Sequence, residues 1–159
     1  MKLGEEGVIG LVSLLRNGLL PMLEELHLKR CHLGERELLH LNYAAQDGYC
    51  KNIRRLDLSS NEMKRAGIIA IRPMFCDVYL PSLEVLDLSD NKLGNSGITE
   101  LGSASDLKLL NQVKTLYLCH NQITDEGASC IYLSIRNRIW KNMEQLDLNG
   151  NQKYDGCKV

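Results

Sequence analysis

Aliphatic residues recur along this chain at a fixed step of thirty. They sit in one phrase that returns five times: LEELHLKRCHL from Leu23, IRRLDLSSNEM from Ile53, LEVLDLSDNKL from Leu83, VKTLYLCHNQI from Val113 and MEQLDLNGNQ from Met143. Position 1 of the phrase is Leu23, Ile53, Leu83, Val113 or Met143. Position 4 is Leu26, Leu56, Leu86, Leu116 or Leu146, and position 6 is Leu28, Leu58, Leu88, Leu118 or Leu148. Fifteen aliphatic residues in unbroken register do not arise by chance. The alternation at positions 4, 5 and 6 has period two, so each phrase predicts a short strand. Leu56 and Leu58 then point inward and Asp57 points out.

Position 9 holds Asn61, Asn91, Asn121 and Asn151, with Cys31 in the first copy. The chain must leave the strand here inside a stack of similar turns. An inward amide side chain can bond backbone groups that would otherwise be buried without partners. A thiol is a weaker donor, so the Cys31 rung is expected to be looser.

Between strands the period lengthens towards that of a helix. Gly67, Gly97 and Gly127 fall at matching offsets, with Glu37 in place of Gly in the first copy. Val8–Leu19 carries Leu11, Leu15 and Leu19 at helical spacing, and Glu37–Gln46 carries Leu38, Leu41 and Ala45. After Thr124-Asp125-Glu126-Gly127-Ala128, Ile131 and Ile135 share one expected face. Asp125 is the expected cap, and the acidic pair suits the helix N-terminus. The helix from Gly67 meets Pro73, which removes an amide donor and predicts a kink or late restart. Gly-Ser-Ala-Ser-Asp at 102–106 predicts a break within Gly97–Leu110.

A strand and a helix in each unit, both too small to bury an apolar face alone, predict an α/β solenoid. It is a right-handed arc with parallel strands on the concave face and helices on the convex face. At ~4.8 Å between strands, five of them span roughly 20 Å. The chain reads as a single domain, 1–159. It has a partial repeat at 1–22 and repeats starting at 23, 53, 83, 113 and 143, the last incomplete. Leu3-Gly4-Glu5-Glu6-Gly7 aligns with Leu93-Gly94-Asn95-Ser96-Gly97, ninety residues on. Neither end, including Gln152–Val159, offers an obvious polar cap of the kind solenoids need. The expectation is a piece of a longer array, or ends that pair with another chain.

The phrases Leu118-Cys-His-Asn-Gln-Ile-Thr-Asp-Glu-Gly-Ala128 and Leu88-Ser-Asp-Asn-Lys-Leu-Gly-Asn-Ser-Gly97 resemble the ribonuclease-inhibitor-like class of leucine-rich repeat. That class pairs each strand with a full helix in a unit of about this length. It includes ribonuclease inhibitors, Ran GTPase-activating proteins, tropomodulin-like actin cappers and the sensor regions of innate-immune receptors. The resemblance implies a protein-binding solenoid. Pro73, the 102–106 segment and Glu37 depart from its most regular members.

The net charge of −1 argues against a nucleic-acid role through bulk electrostatics. No apolar run reaches membrane-spanning length, and Glu5-Glu6 before Val8–Leu15 is the wrong flank for a signal peptide. Of six cysteines, Cys31 takes the inward Asn position, Cys119 falls in a strand, and Cys76 and Cys130 fall in helices. Cys50 and Cys157 complete the set. These are repeat positions rather than a disulfide framework, and no Asn-x-Ser/Thr sequon occurs, so a reducing compartment is expected, cytoplasmic or nuclear. Cys31-His32 and Cys119-His120 are adjacent pairs whose members face opposite ways, so no metal site is assigned. Asp87–Asn91 lacks the Gly and terminal Glu of a calcium loop. No phosphate loop or nucleophile elbow occurs, and His27, His32, His40 and His120 have no sequence-local catalytic partner. Neither catalytic residues nor a cofactor are expected. Trp140 reads as packing rather than as a stacking platform.

Four columns remain for the concave surface. Position 3 gives Glu25, Arg55, Val85, Thr115 and Gln145, and position 5 gives His27, Asp57, Asp87, Tyr117 and Asp147. Position 7 gives Lys29, Ser59, Ser89, Cys119 and Asn149, and position 8 gives Arg30, Ser60, Asp90, His120 and Gly150. Asp57, Asp87 and Asp147 flank Tyr117, with His27 and Lys29 at one end. This strip is the expected docking site for a protein partner with a basic segment, and Tyr117 is the expected anchor. The plainer reading is that Asp after the position-4 Leu is an ordinary solvated strand residue. Two other functions fit the pattern: a GTPase-activating regulator resembling the Ran-directed members, and an assembly fragment that self-associates through its ends.

Overall fold

The computed structural model describes residues 3–102 and 109–151. The expected break over 103–106, the expected missing cap at Gln152–Val159 and Cys157 lie outside the described residues.

The strands are β1 (Glu25–His27), β2 (Arg55–Asp57), β3 (Val85–Asp87), β4 (Thr115–Tyr117) and β5 (Gln145–Asp147). They form one parallel sheet in chain order. The register is the repeat itself: Leu26, Leu56, Leu86, Leu116 and Leu146 are successive partners. Each strand covers positions 3 to 5, one residue earlier than the alternation suggests. The position-6 amide still bonds to the next rung, as Leu58 N–H does to the Asp87 carbonyl at 2.9 Å. Leu56 and Leu58 are buried and Asp57 is half-buried, as read from the alternation.

Helices α1 (Gly4–Arg16), α2 (Glu35–Gln46), α3 (Lys64–Ile71), α4 (Gly94–Gly102) and α5 (Asp125–Arg136) pack side by side on the other face. Helices need 8–10 Å of separation and strands only ~4.8 Å, so the stack curves with the sheet inside. Val8, Leu38, Ile68 and Ile98 occupy one repeat position on α1 to α4 and are fully buried. Full burial of each such side chain stabilises by about 1.5–3 kcal/mol. Trp140 is buried in this core, as expected of packing.

Several local expectations are corrected. Helix α1 starts at Gly4 and stops at Arg16, so Leu19 lies beyond it and is 62% exposed. Helix α3 starts at Lys64 rather than Gly67, and the interruption expected at Pro73 is present: the helix ends at Ile71 and the chain tightens into a 3-10 turn, Arg72–Phe75. Asp125 does not cap α5. Thr124 holds the cap position, and the orphan amides of Thr124 and Gly127 donate to Asn95 Oδ1 on α4, at 3.0 and 3.1 Å. A Cβ at Gly127 would stand 2.6 Å from that oxygen, which explains the glycine. Where Glu37 replaces glycine, its carboxylate accepts the Gly34 N–H at 3.0 Å. Ile131 is buried but Ile135 is 42% exposed, so the two do not share a buried face. Cys119 falls two residues past β4, and Cys76 just past the 3-10 turn.

The position-9 residues form a ladder between rungs. Asn91 Oδ1 accepts the Asn61 amide at 2.9 Å and the Met63 amide at 3.4 Å. Its Nδ2 donates to the carbonyls of Leu58, Leu88 and Ser89 at 2.9, 3.0 and 3.2 Å. Asn61, Asn121 and Asn151 repeat the scheme on their own neighbours. Positions 8 and 10 flank this residue and are left-handed at every complete turn: Arg30 and His32, Ser60 and Glu62, Asp90 and Lys92, His120 and Gln122 all have φ of 53–60°. Such a φ is disfavoured for residues with a Cβ, so the ladder must hold it.

Asn91→Ala strands two amides and several carbonyls, and is expected to lower stability by about 2–4 kcal/mol. Cys31→Ala is expected to lose less than about 1 kcal/mol, because the thiol reaches only the Lys29 carbonyl, at 3.5 Å. Urea unfolding of both variants checks this. Equal losses would mean that the ladder does not hold the turns.

Candidate functional site

The parallel register places His27, Asp57, Asp87, Tyr117 and Asp147 side by side across β1 to β5, as the sequence column requires. Each carboxylate of the column is anchored in the same way. Oδ1 of Asp57, Asp87 and Asp147 accepts the backbone N–H two residues on, from Ser59, Ser89 and Asn149, at 2.9, 2.9 and 3.0 Å. This bond closes the exit from the strand, so these aspartates have a structural reason to recur. It also fixes the carboxylates, with Oδ2 left for other contacts. His27 lies between two acids, with Nε2 3.1 Å from Glu25 and Nδ1 3.7 Å from Asp57 Oδ2. Tyr117 is half-buried and interrupts the acidic column.

Burial pushes the Asp57 carboxyl up, but hydrogen bonding from Ser59 and the charges of Lys29 and His27 outweigh it and hold it below its ordinary value. The Asn149 amide and Cys119 do the same for Asp147. Both are therefore anionic at neutral pH.

The position-7 column is not the surface that the sequence suggests. Lys29 and Asn149 are exposed, but Ser59 is buried and Ser89 and Cys119 are half-buried, because the chain is already turning towards the ladder. In the position-8 column the His120 ring covers Gly150 so closely that a Cβ there would overlap it. The thiols of Cys50 and Cys119 are not activated. Burial, followed by Asp147, holds Cys119 above its ordinary value, and burial pushes Cys50 up to about 11. Among the described residues no His, Cys, Asp and Glu side chains gather into a metal site, and no described helix is long and apolar enough to cross a membrane.

Two charged features escaped the sequence reading. Position 2 alternates in sign along the stack: Glu24, Arg54, Glu84, Lys114, Glu144. Arg54 reaches Glu24 at 3.9 Å and Glu84 at 3.1 Å, and Lys114 reaches Glu84 at 3.4 Å. A search for opposite charges thirty residues apart would have found it. On the helical side, Glu100 takes Arg65 at 2.6 Å and Arg72 at 2.7 Å. That cluster spans irregular helix ends, so no period marks it.

The Leucine Rich repeat family model matches residues 49–71, 79–102 and 111–131. With five parallel strands stepping thirty residues and a helix between each pair, the chain contains leucine-rich repeats and folds as a solenoid of them. Solenoids of this kind serve as protein-interaction modules, presenting an extended concave surface. No curated protein matches the sequence.

The lowered pKa of Asp57 sets an acid dependence. Its folded value lies below the unfolded one of ~3.9, so its contribution is present above about pH 4 and is lost as pH falls through the folded value. Asp57→Asn keeps an oxygen for the Ser59 amide but removes the charge. Urea unfolding between pH 5 and 3 is expected to show a shallower loss of stability for this variant than for the natural chain. Parallel profiles would remove Asp57 from the acid response.

Proposed function

We propose that the protein binds another protein on its strand face and carries out no reaction of its own. The contact residues are His27, Lys29, Asp57, Asp87, Tyr117 and Asp147, and the partner presents a basic segment. One observation carries this reading. Three carboxylates are held in one column around a half-buried tyrosine by identical backbone hydrogen bonds, so they meet a cation without first being ordered. Adjacent carboxylates such as Asp57 and Asp87 repel each other, and a Lys or Arg side chain between them relieves that repulsion. Tyr117 adds apolar contact and a cation–π face at low entropic cost. The cysteines are free thiols among the described residues, which supports a reducing setting, the cytoplasm in this proposal.

The test is capture from extract with four baits: the natural chain, Asp57→Asn/Asp87→Asn/Asp147→Asn, Tyr117→Ala, and Tyr43→Ser on the helical face. The triple variant keeps the backbone contacts while losing the charges. It is expected to bind a partner of the natural chain roughly tenfold more weakly, at 0.2–1 kcal/mol for each exposed pair. Tyr117→Ala is expected to lose more than about 1 kcal/mol, and Tyr43→Ser to bind as the natural chain does. Equal binding by the first three baits, with loss in Tyr43→Ser, would move the site to the helices.

A further inference from the structure

Resting on the strand-face reading above, we propose that the partner segment it receives is a basic amphipathic helix laid across the strands, not an extended peptide. The interior rungs β2, β3 and β4 carry this, and each of them has a strand on both sides. Asp57, Asp87 and Tyr117 are successive partners in the parallel register, so they form a row across the strands at ~4.8 Å per step. The backbone bond at Oδ1 holds both carboxylates of that row in place. A segment that meets all three must present side chains on one face at about 0, 4.8 and 9.6 Å. An α-helix does so, because residues i, i+3 and i+7 share a face at about 0, 4.5 and 10.5 Å along its axis. An extended strand returns to the same face every ~6.7 Å, so its third contact overshoots by roughly 4 Å. A polyproline helix returns every ~9.3 Å and passes over Asp87 altogether. The stack curves with the sheet inside, which draws side chains on the strand face closer than the strands and widens the mismatch for an extended chain.

The flanks of the row agree. At position 3, Val85 and Thr115 stand beside it, half-buried and short, so a helix can approach the sheet there. Charge is graded along the row. Asp87 and Asp90 stand together on β3, Arg55 offsets Asp57 on β2, and on β1 the exposed Lys29 and Arg30 outnumber Glu25. The β1 end is therefore basic and the centre acidic. The negative C-terminal end of a helix suits the basic end, which directs its N-terminus towards β4. The recognised segment then carries an apolar residue at i over Tyr117, and Lys or Arg at i+3 and i+7 over Asp87 and Asp57.

The test is an NMR titration of the isotope-labelled full chain with blocked, alanine-based peptides of about fifteen residues, each holding one Leu and two Lys. The first is a helix, hydrocarbon-stapled on its far face, with Leu at i and Lys at i+3 and i+7. The second is the same stapled helix with Lys at i+2 and i+5, off that face. The third is unstapled, with Leu, Lys and Lys at i, i+2 and i+4 and a proline on either side of that stretch to prevent a helix. The first is expected to shift the amides of β2, β3 and β4 saturably, and to bind about three- to tenfold more tightly than either of the others. Asp57→Asn/Asp87→Asn keeps the backbone bonds and is expected to lose about that factor. The first peptide in reversed order is expected to bind about two- to fivefold more weakly, the scale of one helix-dipole contact, and equal binding would overturn the direction. A third peptide that binds as tightly as the first, with the same loss in the double variant, would overturn the helix while leaving the strand face as the site. Shifts confined to α1 to α5 and unchanged in the double variant would instead overturn the strand-face reading itself. Absence of a saturable shift with the first peptide up to about 5 mM would also overturn the proposal.

Discussion

The asparagine between two left-handed residues is the constraint on which the stack depends. A chain that leaves a buried parallel strand every thirty residues carries unpaired amides and carbonyls into an apolar interior, where each orphan costs about 1–3 kcal/mol. Asn61, Asn91 and Asn121 answer this by donating and accepting at once, tying each turn to the turns beside it. Because the bonds run between rungs, the turn of one repeat is complete only when the next is in place. Cooperativity is therefore built into the hydrogen bonds as well as into the leucine core. The ladder also holds four pairs of left-handed residues, most of them types that do not choose that conformation alone.

That dependence explains which parts were legible in the sequence. Strands, their register and the asparagine ladder repeat at an interval fixed by the stacking geometry, so the period alone locates them. The helical side follows looser rules. A helix can start or stop a turn early without breaking the sheet, and α1 and α3 do so at Gly4 and Ile71. Local chemistry permits Asp125 as a cap, yet the cap comes from Asn95, about thirty residues away on α4. Ile135 satisfies helical spacing, but burial depends on what stands beyond α5, which spacing does not encode. Counting outward from the strand puts Ser59 on the surface, but the chain has already begun to turn in there and Ser59 is buried.

The acidic column has a structural explanation that stands beside the proposed one. Asp57, Asp87 and Asp147 recur because a carboxylate oxygen two residues before a turning amide closes the strand exit. Asparagine would supply the same oxygen. The backbone bond therefore accounts for the position but not for the charge, and the charge is all that the proposed partner recognition has to explain. Tyr117 makes the same point from the other side. It stands in the column without that bond, so the turn at β4 closes without a carboxylate, and closure alone does not demand aspartate at the other rungs.

The position-2 ladder separates strength from selectivity between rungs. An exposed ion pair contributes at most about 1 kcal/mol, whereas full burial of a core side chain such as Val8, Leu38 or Ile98 contributes about 1.5–3 kcal/mol. The charges therefore do not hold the rungs together. Within the molecule they favour a strand whose neighbour has the opposite sign, as Arg54 does between Glu24 and Glu84.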